Sequence, residues 1–257
     1  MSTTNDRSLG IENLEARRVM AGNVFVMHFN NALQIYGDTK DNAIVLTEQS
    51  PGVVRVAGLN NTTINGRLGE FTFRNPSDNL NISMGQGNDY VIIGTDSGPH
   101  SRFGTINVKM GSGADVVGIK NTSTWGLEWN SFNLGDEYEN DRDAIQMERC
   151  NMRQVAINGG GGDDWLYAAD STINNLLVSA GSGHDLLWLV NTTTDRLFAS
   201  LGAGNDTFKS WNSRPRIERG VDGGDGIDTL KLGGEGGVFG SYQYLIAGQA
   251  FENRQSW

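Results

Sequence analysis

Aspartates recur in this chain behind paired glycines. The pattern G-x-G-x-D stands at Gly85–Asp89 ("GQGND"), Gly111–Asp115 ("GSGAD"), Gly160–Asp164 ("GGGDD"), Gly181–Asp185 ("GSGHD"), Gly202–Asp206 ("GAGND") and Gly224–Asp228 ("GDGID"). A carboxylate at a fixed place in every turn has two uses. It accepts hydrogen bonds from backbone N–H groups and so shapes the turn. Alternatively, with the backbone carbonyls that a glycine turn brings near, it ligates a hard cation such as calcium, which takes roughly six to eight oxygens.

The elements that position these acids follow from the spacing. The leading glycines recur at a nearly constant interval, except that the step from Gly111 to Gly160 is about double, and it divides at Gly135 into two ordinary steps. There the chain reads "GDEYENDRD", the same turn enlarged by an insertion. Its Asp143 stands as far before Gly160 as Asp164 stands before Gly181 and Asp185 before Gly202. The insertion adds Asp136, Glu137, Glu139 and Asp141 to that turn, which makes it either a solvated loop or a further cation site.

Flanking residues test the alignment. Two places after each aspartate stand Val91, Val117, Ile145, Leu166, Leu187, Phe208 and Leu230; three before each leading glycine stand Ile82, Val108, Phe132, Ile157, Val178, Ala199 and Val221. Polar residues, Ser83 to Asp222, fill the place between that second column and the glycine. Alternation with period 2 on both sides of a turn means strand, turn, strand, each with one buried face. A second turn is marked by Asp96, Asn121, Asp170, Asn191 and Asn212, residue types that bond their own backbone.

Such a unit cannot close a core alone, so its copies must stack, each strand pairing in parallel with its counterpart one coil on. The expected fold is all-β, a right-handed parallel β-helix or β-roll with about 21–26 residues per coil. "GDTKD" (Gly37–Asp41) and "GLNNT" (Gly58–Thr62) read as degenerate turns of the same series, giving about nine coils over 23–232, a preceding segment 1–22 and a C-terminal cap or tail 233–257. Coils stack about 4.8 Å apart. Carboxylates about 5 Å apart repel by roughly 0.8 kcal/mol in water and by about 3 kcal/mol at an effective dielectric of 20, so the row needs cations or N–H groups.

Composition agrees. With 30 acidic against 20 basic residues the net charge is −10, which argues against nucleic acid and for cations as partners. The single Cys150 forms no internal disulfide. No apolar run is long enough to span a membrane, and the segment 1–22 lacks the apolar region of a signal peptide.

The turns resemble the RTX nonapeptide G-G-x-G-x-D-x-U-x, whose family forms parallel β-rolls with Ca²⁺ between successive turns. "GGGGDD" (Gly159–Asp164) and "GGDGID" (Gly223–Asp228) match the whole turn; elsewhere Met84, Met110, Ala180 or Leu201 replaces the first glycine, and the repeats do not follow one another in tandem as nonapeptides. Only one turn per coil carries the acid, unlike the family. The resemblance implies calcium as cofactor, with Asp89, Asp115, Asp164, Asp185, Asp206 and Asp228 as metal ligands, best at Asp164, Asp185 and Asp206. "LEARRVMAGNV" (Leu14–Val24) is similar to the LEPR-x-LL motif near the start of exported or surface proteins of planctomycete bacteria, with Ala16 for the proline and Val19 and Met20 for the leucines. "LQIYGDTKDNAIVLTEQSPGVVRVAGLNNTTING" (Leu33–Gly66) is similar to the segments that often follow that motif. That implies an extracellular or cell-surface location.

Catalysis has weaker support. His28 lies in an expected strand, His100 in a loop, and His184 at the variable place of a turn; none has a nucleophile in a familiar motif. Arg214, Arg216 and Arg219, in the loop before the last turn, are the candidates for facing an acidic sugar, as a polysaccharide lyase would need. Tyr90, Trp165, Tyr167 and Trp188 fall one or three places after a ladder aspartate, outside the core, where they can stack on sugars, pack under a loop or meet another subunit. Trp125, Trp129 and Trp211 are placed in loops. The reading is a non-catalytic, calcium-binding structural or adhesive surface protein, with cell-surface polysaccharide or other surface proteins as partners. Its rivals are a carbohydrate-binding module and a polysaccharide-active enzyme.

Overall fold

The computed structural model describes residues 22–74, 79–234, 251 and 253–256. The export-type motif segment therefore lies, apart from Gly22–Val24, outside the described residues, as does most of 235–257. The described chain is all-β, a solenoid of about 7 turns built from two stacked sheets. The first sheet stacks, in order, Ala32–Tyr36, Asn79–Gln86, Thr105–Ser112, Asn130–Asn133, Asn151–Gly161, Thr172–Ser182, Thr193–Ala203 and Arg214–Asp225. The second stacks Ala43–Ser50, Tyr90–Ile93, Val116–Lys120, Ala144–Glu148, Trp165–Ala169, Leu186–Val190, Thr207–Trp211, Thr229–Gly233 and Asn253–Ser256. Every step along both lists is parallel.

Register follows the sequence columns residue by residue. Val91, Val117, Ile145, Leu166, Leu187, Phe208 and Leu230 are successive partners in the second sheet. Ile82, Val108, Phe132, Ile157, Val178, Ala199 and Val221 are successive partners in the first. Both columns are buried and meet in one apolar core. A one-residue slip would turn either column to water, so the pattern that reveals the repeat also fixes its register.

The N-terminal end departs from the expected run of coils. Asn23–Phe29 pairs antiparallel with Ala32–Tyr36 through Asn30 and Asn31, both at positive φ, the geometry of a tight hairpin turn. Ala43–Ser50 pairs antiparallel with Val53–Gly58, which pairs antiparallel with Glu70–Arg74. "GDTKD" does form a turn of the solenoid, but "GLNNT" crosses between sheets in the opposite sense, and Thr62 Oγ1 accepts from the N–H of Ala43. These hairpins cover the first strands of both sheets and reduce the turns from about nine to about seven. At the other end, Thr229 pairs in register with Asn253, one coil's length further along the chain, and Phe251 is buried.

The second corner is also corrected in detail. Asn121, Asp170, Asn191 and Asn212 turn the chain at positive φ, and in the enlarged coil Arg149 takes that place. Asp96 does not; it lies beyond the corner and pairs with Lys120 and Arg149. Arg214, Arg216 and Arg219 fall in a strand and not in a loop, with Pro215 accommodated where the register shifts between Thr194 and Arg196.

Candidate functional site

Each G-x-G-x-D turn carries the chain from the first sheet to the second, and its aspartate points inward. Asp89, Asp115, Asp143, Asp164, Asp185, Asp206 and Asp228 are all at most 2% exposed. They are stitched together by one repeated bond. The N–H of each residue donates to Oδ1 of the aspartate in the next coil: Asp89 to Asp115 at 2.7 Å, Asp115 to Asp143 at 2.8 Å, Asp143 to Asp164 at 2.9 Å, then Asp164 to Asp185, Asp185 to Asp206 and Asp206 to Asp228 at 2.8 Å each. The insertion at Gly135 thus leaves the ladder unbroken, and Asp143 belongs to it as the spacing requires. The ladder begins at Asn42, whose N–H donates to Asp89 Oδ1 at 2.7 Å. The sequence pattern points to Asp41 at that place; the signal available for Asn42 is that an amide can copy a carboxylate's acceptor.

The second oxygen is treated differently. Oδ2 of Asp89, Asp115, Asp164, Asp185 and Asp206 is buried with no hydrogen-bond partner among the described residues. Burial therefore pushes these acids up, to about 7 for Asp89 and Asp185, about 8 for Asp115 and Asp164, and about 6 for Asp206; neighbouring carboxylates add to the rise and the bond from the preceding N–H opposes it. Asp143 rises to about 7, again through burial, with Glu139 and Asp141 adding. Raised this far, the row is partly protonated near neutral pH, most at Asp115 and Asp164 and least at Asp206, unless a cation replaces the protons.

The place before each leading glycine explains the departures from the RTX pattern. A Cβ on Gly159 would lie 2.4 Å from Asp164 Oδ2, and one on Gly223 would lie 2.2 Å from Asp228 Oδ2. In other coils that place holds Met84, Met110, Ala180 and Leu201, all fully buried. It faces the interior, and apolar side chains there fill the core beside the acids.

The orphaned, desolvated Oδ2 atoms fit a cation or a proton. Among the described residues no group of three or more His, Cys, Asp or Glu side chains gathers around one point. A bound calcium would therefore draw on carboxylates from two neighbouring coils and on turn carbonyls. Asp164, Asp185 and Asp206 follow one another in the ladder without insertion.

A second, exposed ladder runs along the same turns one residue earlier. The N–H of Asn88 donates to Asp41 Oδ1 and that of Ala114 to Asn88 Oδ1; after the enlarged turn, His184 donates to Asp163 Oδ1, Asn205 to His184 Nδ1 and Ile227 to Asn205 Oδ1. His184 is thus a surface turn residue with a structural bond. His100 bridges Asn121 and Ser123 at 2.9 Å each, and His28 lies exposed on Asn23–Phe29.

The aromatic residues separate. Trp165, Tyr167 and Trp188 cluster on the outer face of the second sheet, with ring centroids 6.0 and 5.4 Å apart, whereas Tyr90 lies on another strand, away from them. Trp211 is in a strand of that sheet, and Trp125 and Trp129 are exposed in the connection 125–129. No helix among the described residues is long and apolar enough to cross a membrane. Scans against protein-family models, curated proteins and solved structures each find no match for this chain.

Proposed function

We propose that this chain is a non-catalytic structural or adhesive solenoid of the cell surface, stabilised by calcium held at the inner aspartate ladder. One observation carries the reading: a row of buried carboxylates, each using one oxygen to bind the preceding coil, and most having no partner for the other among the described residues. At neutral pH such a row is neutralised by protons or by cations, and outside the cell millimolar calcium is the abundant hard cation. Asp89, Asp115, Asp164, Asp185, Asp206 and Asp228 are the proposed ligands, with Asp143 joining them. Calcium supplies charge neutralisation and cross-links adjacent coils; the chain's residues supply the fixed spacing. The similarity of Leu14–Val24 to a motif of exported proteins supports the surface location.

Thermal unfolding in EGTA and then in millimolar calcium, with magnesium as control, tests this. A ligand that binds only the folded state raises the midpoint. A calcium-specific rise is expected; full stability in EGTA with no rise leaves the aspartates as turn formers alone and removes calcium from the function.

A further inference from the structure

We propose that the outer face of the second sheet, at its C-terminal coils, binds an acidic polysaccharide whose sugar rings stack on the tryptophans and whose carboxylates meet Lys209 and Lys231. This goes beyond the calcium reading and rests on a different surface. Tyr167, Trp188, Lys209 and Lys231 are successive in-register partners on four adjacent strands, and so form one column along the solenoid axis. Trp165 flanks that column, 36% exposed, and Trp211 lies on the Lys209 strand.

Charge singles this patch out. The strands Trp165–Ala169, Leu186–Val190, Thr207–Trp211 and Thr229–Gly233 contain no acidic residue, in a chain of net charge −10. Lys209 Nζ rests 5.3 Å from the Trp188 ring centroid, and neither Lys209 nor Lys231 forms an ion pair among the described residues. The ion pairs of this sheet, around Lys120 and Glu148 and between Arg55 and Glu70, lie on earlier strands, with Glu148 and Asp170 near only the Tyr167 end of the column. An ammonium group resting on an aromatic ring, with a second ammonium one strand further on, suits a ligand with both an apolar face and a negative charge. A pyranose ring bearing a carboxylate has both. The strand spacing of about 4.8 Å is close to the advance per residue of an extended 1,4-linked pyranose chain, so successive sugars meet successive rungs of the column.

The test titrates the full chain with short oligouronates, too short to gel with calcium, against neutral oligosaccharides of the same length, following tryptophan fluorescence and calorimetric heat at fixed calcium. Saturable binding of the uronate, weakened by salt and at least about tenfold tighter than the neutral sugar, is expected. The double variant Lys209→Glu/Lys231→Glu should lose at least about tenfold in affinity while its melting curve and calcium response stay as in the parent. Trp188→Ala should lose binding as well, and Trp165→Ala, at the exposed site, repeats the test where the larger change disturbs folding. Equal affinity for neutral sugar, or charge reversal without effect, overturns the acidic class; no binding of either sugar overturns the surface. Since the melting response to calcium is read separately, failure here is distinguishable from failure of the ladder proposal.

Discussion

The main-chain N–H of Asp164 donates to Oδ1 of Asp185, its counterpart one coil on, at 2.8 Å, and both residues are at most 2% exposed. A side chain here does what a carbonyl does elsewhere in the ladder of strand bonds. Repeated from Asn42 to Asp228, this bond ties each glycine turn to the next and makes the aspartate a part of the fold before it is anything else.

Asp185→Ala and Asp185→Asn should therefore behave differently. Alanine leaves the buried N–H of Asp164 without its acceptor, a loss of about 1–3 kcal/mol, which lowers the midpoint by about 2–4 °C per kcal/mol in a chain of this size. Asparagine keeps an acceptor oxygen, as Asn42 does in accepting from Asp38, and removes the charge. Its melting curve in EGTA should stay close to the parent's while its calcium response shrinks. Circular dichroism melts with and without calcium read both; equal loss in the two variants would contradict the acceptor role.

The pH dependence follows from the raised acids. Asp115 and Asp164 sit near 8 and Asp89, Asp143 and Asp185 near 7 when folded, against about 3.9 in an unfolded chain. Between those values the folded state binds more protons, so its stability is full below about pH 4 and falls as pH rises through 7 to 8. In EGTA the midpoint should thus drop from pH 5 to pH 8. Calcium needs the deprotonated carboxylates, so its stabilisation should grow over the same range, with proton release on binding. A metal-free midpoint that rises with pH in this window would show that the carboxylates are ionised and solvated instead.

How much of this is legible in the sequence depends on how local the signal is. The columns at Val91 and Ile82 can be read because burial repeats with the coil and a slip would expose them, so Phe132 and Ile145 betray the enlarged turn despite its insertion. The hairpins at Asn30–Asn31 and Pro51–Gly52 are hidden because strand direction depends on turn geometry, and the neighbouring turns read as members of a solenoid series that this end does not follow. The inward direction of the aspartates is legible only in part. Their spacing shows a ladder, but that Oδ1 serves the neighbouring coil, and that Met84 or Leu201 fills the interior beside Oδ2, depends on how closely the coils approach. The aromatic patch can be named residue by residue, and its two lysines are legible by the same column, since Lys209 and Lys231 stand three places after Asp206 and Asp228 as Trp188 does after Asp185.

The close approach of coils gives a further expectation. Gly181 has φ +120° and an added Cβ would sit 1.8 Å from the carbonyl oxygen of Gly160. Backbone cannot yield there without breaking the stack, so Gly181→Ala should cost more than the roughly 1–3 kcal/mol of an unfavourable φ alone. Gly66, at φ +76° with open space around it, supplies the control: Gly66→Ala should show only the conformational cost. Urea melts of the two variants separate steric from torsional terms, and equal losses would mean that the coils stand further apart than this.

Cys150 is the last case where a column explains a residue. It follows Arg149 at the second corner, in the place held in other coils by Thr122, Ser171, Thr192 and Ser213, whose hydroxyls donate to the carbonyl two residues back. Its Sγ makes the same contact with the carbonyl of Glu148 at 3.4 Å, and its N–H donates to Ser171 Oγ at 3.0 Å. The thiol thus stands in for a hydroxyl, and burial pushes its pKa up to about 12. Cys150→Ser and Cys150→Thr should then change stability by less than about 1 kcal/mol, while Cys150→Leu, which cannot donate and overfills the corner, should cost about 1–3 kcal/mol. A thiol so buried and so weakly acidic has almost no thiolate at neutral pH, so it should react with a disulfide reagent only at the rate of global unfolding. Labelling much faster than unfolding would place Cys150 in a corner that opens independently of the solenoid.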